Sequence, residues 1–302
     1  MFRFWVLFPI LKMPKQAVTG SQKEDTQKRI KKKIENKNAV LSINESRRVP
    51  FAVVEAYKTI RTNLTFLLSG SESKVFGITS AEAGEGKSTT AINMAIAFSQ
   101  LGDKVLLIDA DMRRSSVHKK MKIENNSGLS GILAGFSDYN DVITHISDSL
   151  DVITAGQVPP NPSELLGSER FKNLVDEVGK KYSYVIIDTP PVGIVSDALV
   201  IAPQTAGLVL VVKDQSTPTD AIKHTIESAK FAEINILGAV MNGANPKSGR
   251  GYGYRKYGKY GYRKYGKYGY GYGYGYGYGY GYGYGYAPKA KSTEETSNEQ
   301  KQ

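Results

Sequence analysis

The chain has 302 residues, 40% of them hydrophobic, and a formal net charge of +11, enough for one α/β domain of about 200 residues with flanking segments. The absence of cysteine excludes a disulfide framework, thiolate chemistry and a Cys-based zinc site. Basic charge collects at the ends: residues 1–50 carry twelve Lys/Arg against four Asp/Glu, and residues 247–291 carry ten Lys/Arg and no acid, so the stretch between them is mildly acidic.

The first twelve residues, Met1 to Lys12, are apolar and then basic. They are too short for a membrane span, which needs about 20 apolar residues, and no small-residue cleavage site follows. They read either as a disordered start ahead of a true initiator at Met13 or as a short interfacial anchor through Trp5 and Phe8. With the polar stretch that follows, which includes Lys31, Lys32 and Lys33, they make a basic flexible N-terminal arm over residues 1–49.

A core domain is expected over residues 50–246. Val54, Tyr57, Ile60, Leu64 and Leu67 form one stripe at helical spacing, and the Ser69-Gly70-Ser71 run ends that helix. Strands follow at Val75–Thr79, Lys104–Ile108, Val152–Thr154, Tyr184–Ile187, Gly207–Val212 and Leu237–Met241, with helices at Ser88–Leu101, Phe171–Lys180 and Thr219–Phe231. Continuous Val/Ile/Leu runs separated by helices predict an α/β fold: a mostly parallel sheet with helices on both faces. In such sheets ligands bind at the carboxyl ends of the strands.

Three motifs stand at those ends. Ser80-Ala-Glu-Ala-Gly84-Glu85-Gly86-Lys87-Ser88-Thr89 joins a strand to a helix as a phosphate-binding loop does. Gly84 and Gly86 let backbone N–H groups approach phosphates, Lys87 reaches the outer phosphates, and Ser88 can ligate Mg²⁺. The usual pattern has a further glycine where this chain has Ala81. A second strand ends in Asp109-Ala-Asp111-Met-Arg113 and a third in Asp188-Thr-Pro190-Pro191. A carboxylate at the end of a buried strand is costly unless it serves a metal or hydrogen bonds. Asn242, after the last strand, either touches the adenine or holds a turn. His118, His145 and His224 stand outside the motifs.

Residues 247–302 read as a disordered Gly/Tyr-rich tail. It holds sixteen of the twenty tyrosines: Tyr252, Tyr254, Tyr257, Tyr260, Tyr262, Tyr265, Tyr268, Tyr270, Tyr272, Tyr274, Tyr276, Tyr278, Tyr280, Tyr282, Tyr284 and Tyr286. Glycine at alternate positions raises the entropic cost of ordering and leaves one face of any strand bare. The phenols are therefore better read as chemical acceptors. A Gly-rich coil of this length spans roughly 40 Å end to end, so the tail can reach a site on its own or a neighbouring subunit.

Gly-Glu-Gly-Lys-Ser-Thr, Ile-Asp-Ala-Asp-Met-Arg and Ile-Ile-Asp-Thr-Pro-Pro, followed by a tyrosine cluster, resemble the bacterial tyrosine kinases of capsule and exopolysaccharide synthesis. The likeness covers roughly residues 50–246 and extends to Gly128-Leu129, to Pro160–Leu166 and to Ser196-Asp197. It implies a P-loop NTPase fold, ATP and Mg²⁺ as cofactors, and autophosphorylation of the tail between subunits of a ring. It also implies that Lys87, Asp109, Asp111 and Asp188 carry catalysis. Within that reading Ser88, Asp109 and Asp188 hold the metal, and Asp109 or Asp111 orients or deprotonates the phenol. Gly84, Glu85, Gly86, Lys87, Ser88, Thr89 and Asn242 bind the nucleotide.

The family's ring-assembly motif, Glu-x-x-Arg-x-x-Arg, appears here as Glu55, Lys58 and Arg61, with lysine at the middle position; lysine does not reproduce a bidentate arginine contact. Relatives without membrane spans of their own imply a membrane adaptor of the polysaccharide co-polymerase type and a cytoplasmic place at the inner face of the cell membrane. A cognate protein-tyrosine phosphatase follows from the same likeness. An anionic membrane surface suits the basic ends, whereas nucleic acid is disfavoured for want of a recognisable binding module. Two competing classes are a partitioning or positioning ATPase and a non-catalytic tyrosine-rich scaffold. Against the first, residues 80–83 lack the extra lysine of such loops; against the second, a scaffold has no need of Lys87 and the motif aspartates.

Overall fold

The computed structural model describes residues 4–6, 49 and 51–244. The tail tyrosines and most of the N-terminal arm lie outside the described residues. Helix α1 (Phe51–Leu68) opens the domain, burying Ala56, Tyr57, Ile60, Leu64 and Leu68. The expected stripe keeps its centre but ends on Leu68 and not on Leu67. Three turns at 3.6 residues each carry Tyr57 onto Leu68, which leaves Leu67 half-buried at the edge of the stripe.

Among the described residues eight strands form one sheet: β1 (Phe4–Val6), β2 (Val75–Ser80), β3 (Val105–Asp109), β4 (Thr144–Ser147), β5 (Leu150–Ile153), β6 (Tyr184–Asp188), β7 (Leu208–Lys213) and β8 (Ile236–Asn242). Their order across the sheet is β1, β8, β7, β2, β6, β3, β5, β4. Every pairing is parallel except that of β4 with β5. Two strands were not foreseen. The half-exposed residues of β4 lack the buried Val/Ile run that marks the central strands. β1 pairs its backbone with β8 inside the stretch read as a flexible arm, and three residues are too few to show a period.

Alternation along the strands distributes the core to two faces. Phe76, Ile78, Val105, Leu107, Ile186, Val209 and Val211 pack on one side with α1 and with α2 (Lys87–Ser99). Val75, Leu106, Ile108, Val185 and Ile187 pack on the other with α4 (Leu129–Ala134) and α7 (Glu169–Lys181). On the far half of the sheet Leu210 and Val212 meet Ile222 and Ile226 of α9 (Thr219–Phe231). α2 is buried almost all round, so no single stripe marks it; it runs from the phosphate-loop end of β2 through the middle of its layer. The short helices α3 (Val117–Met121), α5 (Tyr139–Val142), α6 (Pro162–Leu166) and α8 (Asp197–Ile201) lie in the connections.

Register brings the motifs together. β2 and β3 both pair with β6, with Ile78 opposite Asp188 and Asp109 opposite Asp188. The three motif-bearing strands therefore end at one level.

Candidate active site

At that level the chain turns from β2 into α2 through a loop with Gly84 at φ 81° and Gly86 at φ 100°, the left-handed region that glycine enters without steric cost. Three contacts hold the loop. The Glu85 side chain is buried and accepts the N–H groups of Ala81 and Glu82 at 3.0 and 3.1 Å. The Thr217 hydroxyl donates to the same carboxylate. The Asn242 amide donates to the Glu85 carbonyl at 2.8 Å. Glu85, expected to touch nucleotide, here organises the loop from inside, and Asn242 clamps it. Ala81 costs nothing where a glycine is usual, because its backbone conformation is not a left-handed one.

Lys87 projects from the start of α2 between two carboxylates, 2.6 Å from Asp111 Oδ2 and 3.8 Å from Asp188 Oδ1. Burial opposes its charge, but Asp188 and Asp111 outweigh that and hold its pKa above the ordinary lysine value. Asp188 is fully buried and neither carboxylate oxygen has a hydrogen-bond partner among the described residues. Its pKa is raised, chiefly by burial, against the opposing charge of Lys87.

Asp109 is buried too and accepts three backbone N–H groups: Asp111 at Oδ1 (3.2 Å), and Ser116 and Val117 at Oδ2 (3.3 and 3.2 Å). Burial first, then the neighbouring Asp188, pushes its pKa up to about 8. The sequence assigned Asp109 to metal or base; in the structure both its oxygens already cap the turn into α3.

A cavity of about 480 Å³ opens over the loop, lined by Gly84, Gly86, Lys87, Ser88, Thr89, Asp111, Arg113, Lys120 and Pro190 among others. Arg113 leans from its rim onto buried Asp197, with Nε to Oδ2 at 3.0 Å and Nη2 to Ser163 Oγ at 3.1 Å. Ser163 also donates to Asp197. This network, Thr217 and Lys120 were not singled out from sequence. Arg113 and Asp197 did lie inside quoted motifs, but only the fold shows that they meet.

Mg²⁺ fits the donors present. It prefers oxygen ligands, usually from one or two carboxylates with substrate phosphates and water. The Asp188 carboxylate, whose oxygens accept no hydrogen bond among the described residues, and the Ser88 hydroxyl supply such oxygens. Among the described residues no group of three His, Cys, Asp or Glu side chains forms an all-protein cage, which this mode of binding does not require.

The oligomerisation candidates sit apart on α1. Glu55 and Lys58 pair with each other at 2.8 Å, both half-exposed, while Arg61 Nη1 donates to the Ala97 carbonyl at 2.6 Å, in the last turn of α2. Arg61 is thereby engaged within its own chain. His118 belongs to α3 and His145 pairs with Asp151 on the sheet edge; neither lines the cavity.

A glycine-rich strand-to-helix turn, its lysine and two strand-end carboxylates in a parallel sheet define a nucleotide-binding protein of the P-loop class. Residues 73–228 match the model of the AAA domain family. The tyrosine-protein kinase YwqD of Bacillus subtilis is 42% identical over 201 residues, 66% of this chain and 85% of that one. The tyrosine-protein kinase CpsD of Streptococcus agalactiae is 38% identical over 207 residues, 68% and 90% of the two chains. The solved kinase domain of the Escherichia coli tyrosine kinase ETK superposes with a TM-score of 0.64 at 35% identity, over 72% of this chain and 89% of that domain. The chain therefore belongs to the bacterial tyrosine-protein kinases. Among the described residues no helix is long and apolar enough to cross a membrane.

Proposed function

We propose that the protein is an ATP-dependent protein-tyrosine autokinase whose acceptors are the tyrosines of residues 252–286. The observation that carries this reading is Lys87 set between Asp111 and Asp188 at the floor of the phosphate-loop cavity, in a chain that also carries sixteen clustered phenols. The backbone N–H groups of residues 84–89 cradle the phosphates and Lys87 meets the outer ones. Ser88 and Asp188 would hold Mg²⁺, which when bound neutralises phosphate charge.

Of the two candidate bases, Asp111 is favoured. It lines the cavity, and its carboxylate takes one backbone N–H, from Arg114, besides Lys87, whereas that of Asp109 takes three. The phenol oxygen attacks the terminal phosphorus, the bond to the bridging oxygen of ADP breaks, and the phenol proton passes to the Asp111 carboxylate. Asp109 acts through α3, whose first turn it holds.

The same reading places the core domain at residues 50–246 between a basic arm and an acceptor tail. It has the kinase assembling with further copies of itself and with a membrane adaptor, under control of a phosphatase, in capsule or exopolysaccharide synthesis. Each phosphotyrosine adds about −1.5 to −2 charge, so modification of the tail progressively cancels its basic character.

The test is incubation of the full chain with ATP, Mg²⁺ and the adaptor's cytoplasmic segment, followed by mapping of phosphate by mass spectrometry. Phosphotyrosine within residues 252–286 is expected, and its loss in Lys87→Met. Continued labelling of the tail by purified Lys87→Met, or ATP hydrolysis with no phosphotyrosine, would overturn the reading.

A further inference from the structure

The nucleotide cavity holds a cation that none of the three motifs accounts for. Lys120 lies on α3 and its side chain lines the cavity with Lys87, Ser88 and Asp111. α3 is fixed in place by the buried Val117 side chain and by the Asp109 carboxylate, which accepts the Ser116 and Val117 N–H groups. The Lys120 N–H in turn bonds the Ser116 carbonyl at 3.1 Å. One turn of helix from that anchor sets the Lys120 side chain over the phosphate loop.

Among the described residues its ammonium forms no ion pair within 4.0 Å. Lys87 pairs with Asp111 and Asp188, and Arg113 with Asp197; among the described residues Lys120 has no such bond, although it is half-buried. Burial lowers its pKa, Asp188 works against that, and the charge of Lys87 lowers it further. A half-desolvated cation close to a second cation is unfavourable until an anion enters between them. Lys87 approaches that space from α2, and Lys120 from α3.

We propose that Lys120 is a further catalytic residue, a cation supplied by the same chain that contacts the outer phosphoryl group of the nucleotide during its transfer to tyrosine. The proposal rests on the autokinase reading. The transferred group passes through a loose transition state with negative charge spread over three oxygens, and a positioned cation acts on the charge that develops there. Lys120 neither gains nor loses a proton: the phosphorus–oxygen bond to ADP breaks, the bond to the phenol forms, and Asp111 takes the phenol proton. The plain structural role for such a lysine is a stem packed on apolar surface with its head in water. Lys120→Met keeps the stem and removes only the charge.

The experiment compares full-length wild type, Lys120→Met and Lys120→Arg by thermal unfolding alone, with ADP and with ATPγS, each nucleotide with Mg²⁺, and by rate of tail phosphorylation. Without nucleotide, Lys120→Met is expected to unfold at or above the wild-type temperature. With ATPγS it loses most of the extra stabilisation that wild type gains over ADP. Its kcat falls by at least about tenfold, and Lys120→Arg recovers most of the rate. A kcat reduced by less than about tenfold, equal loss of ADP and ATPγS stabilisation, or a lowered unfolding temperature without nucleotide would each overturn the proposal. Absence of phosphotyrosine from the wild type would defeat the autokinase reading instead, and the ATPγS-against-ADP comparison would still decide the role of Lys120.

Discussion

Gly86 carries the sharpest mechanical constraint in the phosphate loop, and replacing it with alanine tests the loop directly. At φ 100° and ψ 15° an L-residue meets the steric penalty of the left-handed region, about 1–2 kcal/mol. The added Cβ would also stand 2.1 Å from Asn242 Nδ2, so the amide must move. That amide cannot move freely, because it donates to the Glu85 carbonyl at 2.8 Å; losing the bond costs about 0.5–1.5 kcal/mol. Together Gly86→Ala should destabilise by about 2–3 kcal/mol, or roughly 4–12 °C in Tm for a domain of this size. The assay is urea unfolding of the wild type, Gly86→Ala, Asn242→Ala and the double variant. Removing Asn242 also removes the obstacle, so the double variant should be less damaged than the sum of the two by about 1 kcal/mol. Gly86→Ala within about 0.5 kcal/mol of wild type, or strict additivity, would refute the reasoning.

Two further outcomes follow from other parts of the molecule. Arg113→Ala leaves the carboxylate of Asp197, 1% exposed, with only the Ser163 hydroxyl as side-chain partner among the described residues. Urea unfolding should show a loss of about 1–3 kcal/mol, discounted from the cost for a fully buried pair because Arg113 is itself 41% exposed; Asp197→Asn should cost less, and a null effect of Arg113→Ala would mean that the network is idle. Burial, opposed first by the Asn93 side chain, pushes the Tyr57 hydroxyl up to about 12 from 10.0. A raised folded-state pKa contributes stability that is complete below pH 10 and lost as pH rises to about 12, amounting to about 2–3 kcal/mol for two units. Tyr57→Phe should therefore lose less stability than the wild type over that window; parallel curves would show that Tyr57 ionises as readily folded as unfolded.

The helix over residues 219–231 coincides with the sequence expectation end for end, and the central strands to within a residue or two, because their apolar runs have no competing explanation. α1 was legible except at its last turn. The edge strand β4 and the short helices were not, since their half-exposed residues carry little periodicity and their place is set by what they pack against. At the site, Gly84, Gly86, Lys87, Ser88 and the three aspartates were identifiable because phosphate chemistry constrains local spacing. Glu85 was found as a residue but not as the inner brace of the loop, and of the two readings open for Asn242 the hydrogen bond to the Glu85 carbonyl fits the one that holds a turn. Thr217 stands 132 positions from Glu85, a separation at which no local pattern connects two residues.

Sequence by itself determined the class of sheet, the phosphate loop, the strand-end carboxylates and the clustering of tyrosines in the tail, because each is written in neighbouring residues. Only the tertiary structure decided what each carboxylate contacts. The register of β3 and β6 on a shared edge sets Asp109 opposite Asp188, and the turn into α3 then gives both Asp109 oxygens backbone N–H partners, while Asp188 meets the Lys87 ammonium. It decided equally that Lys120 lines the cavity over the phosphate loop. Which side of a five-residue helix meets the cavity depends on how its first turn is anchored, and that anchor comes from a carboxylate on another element.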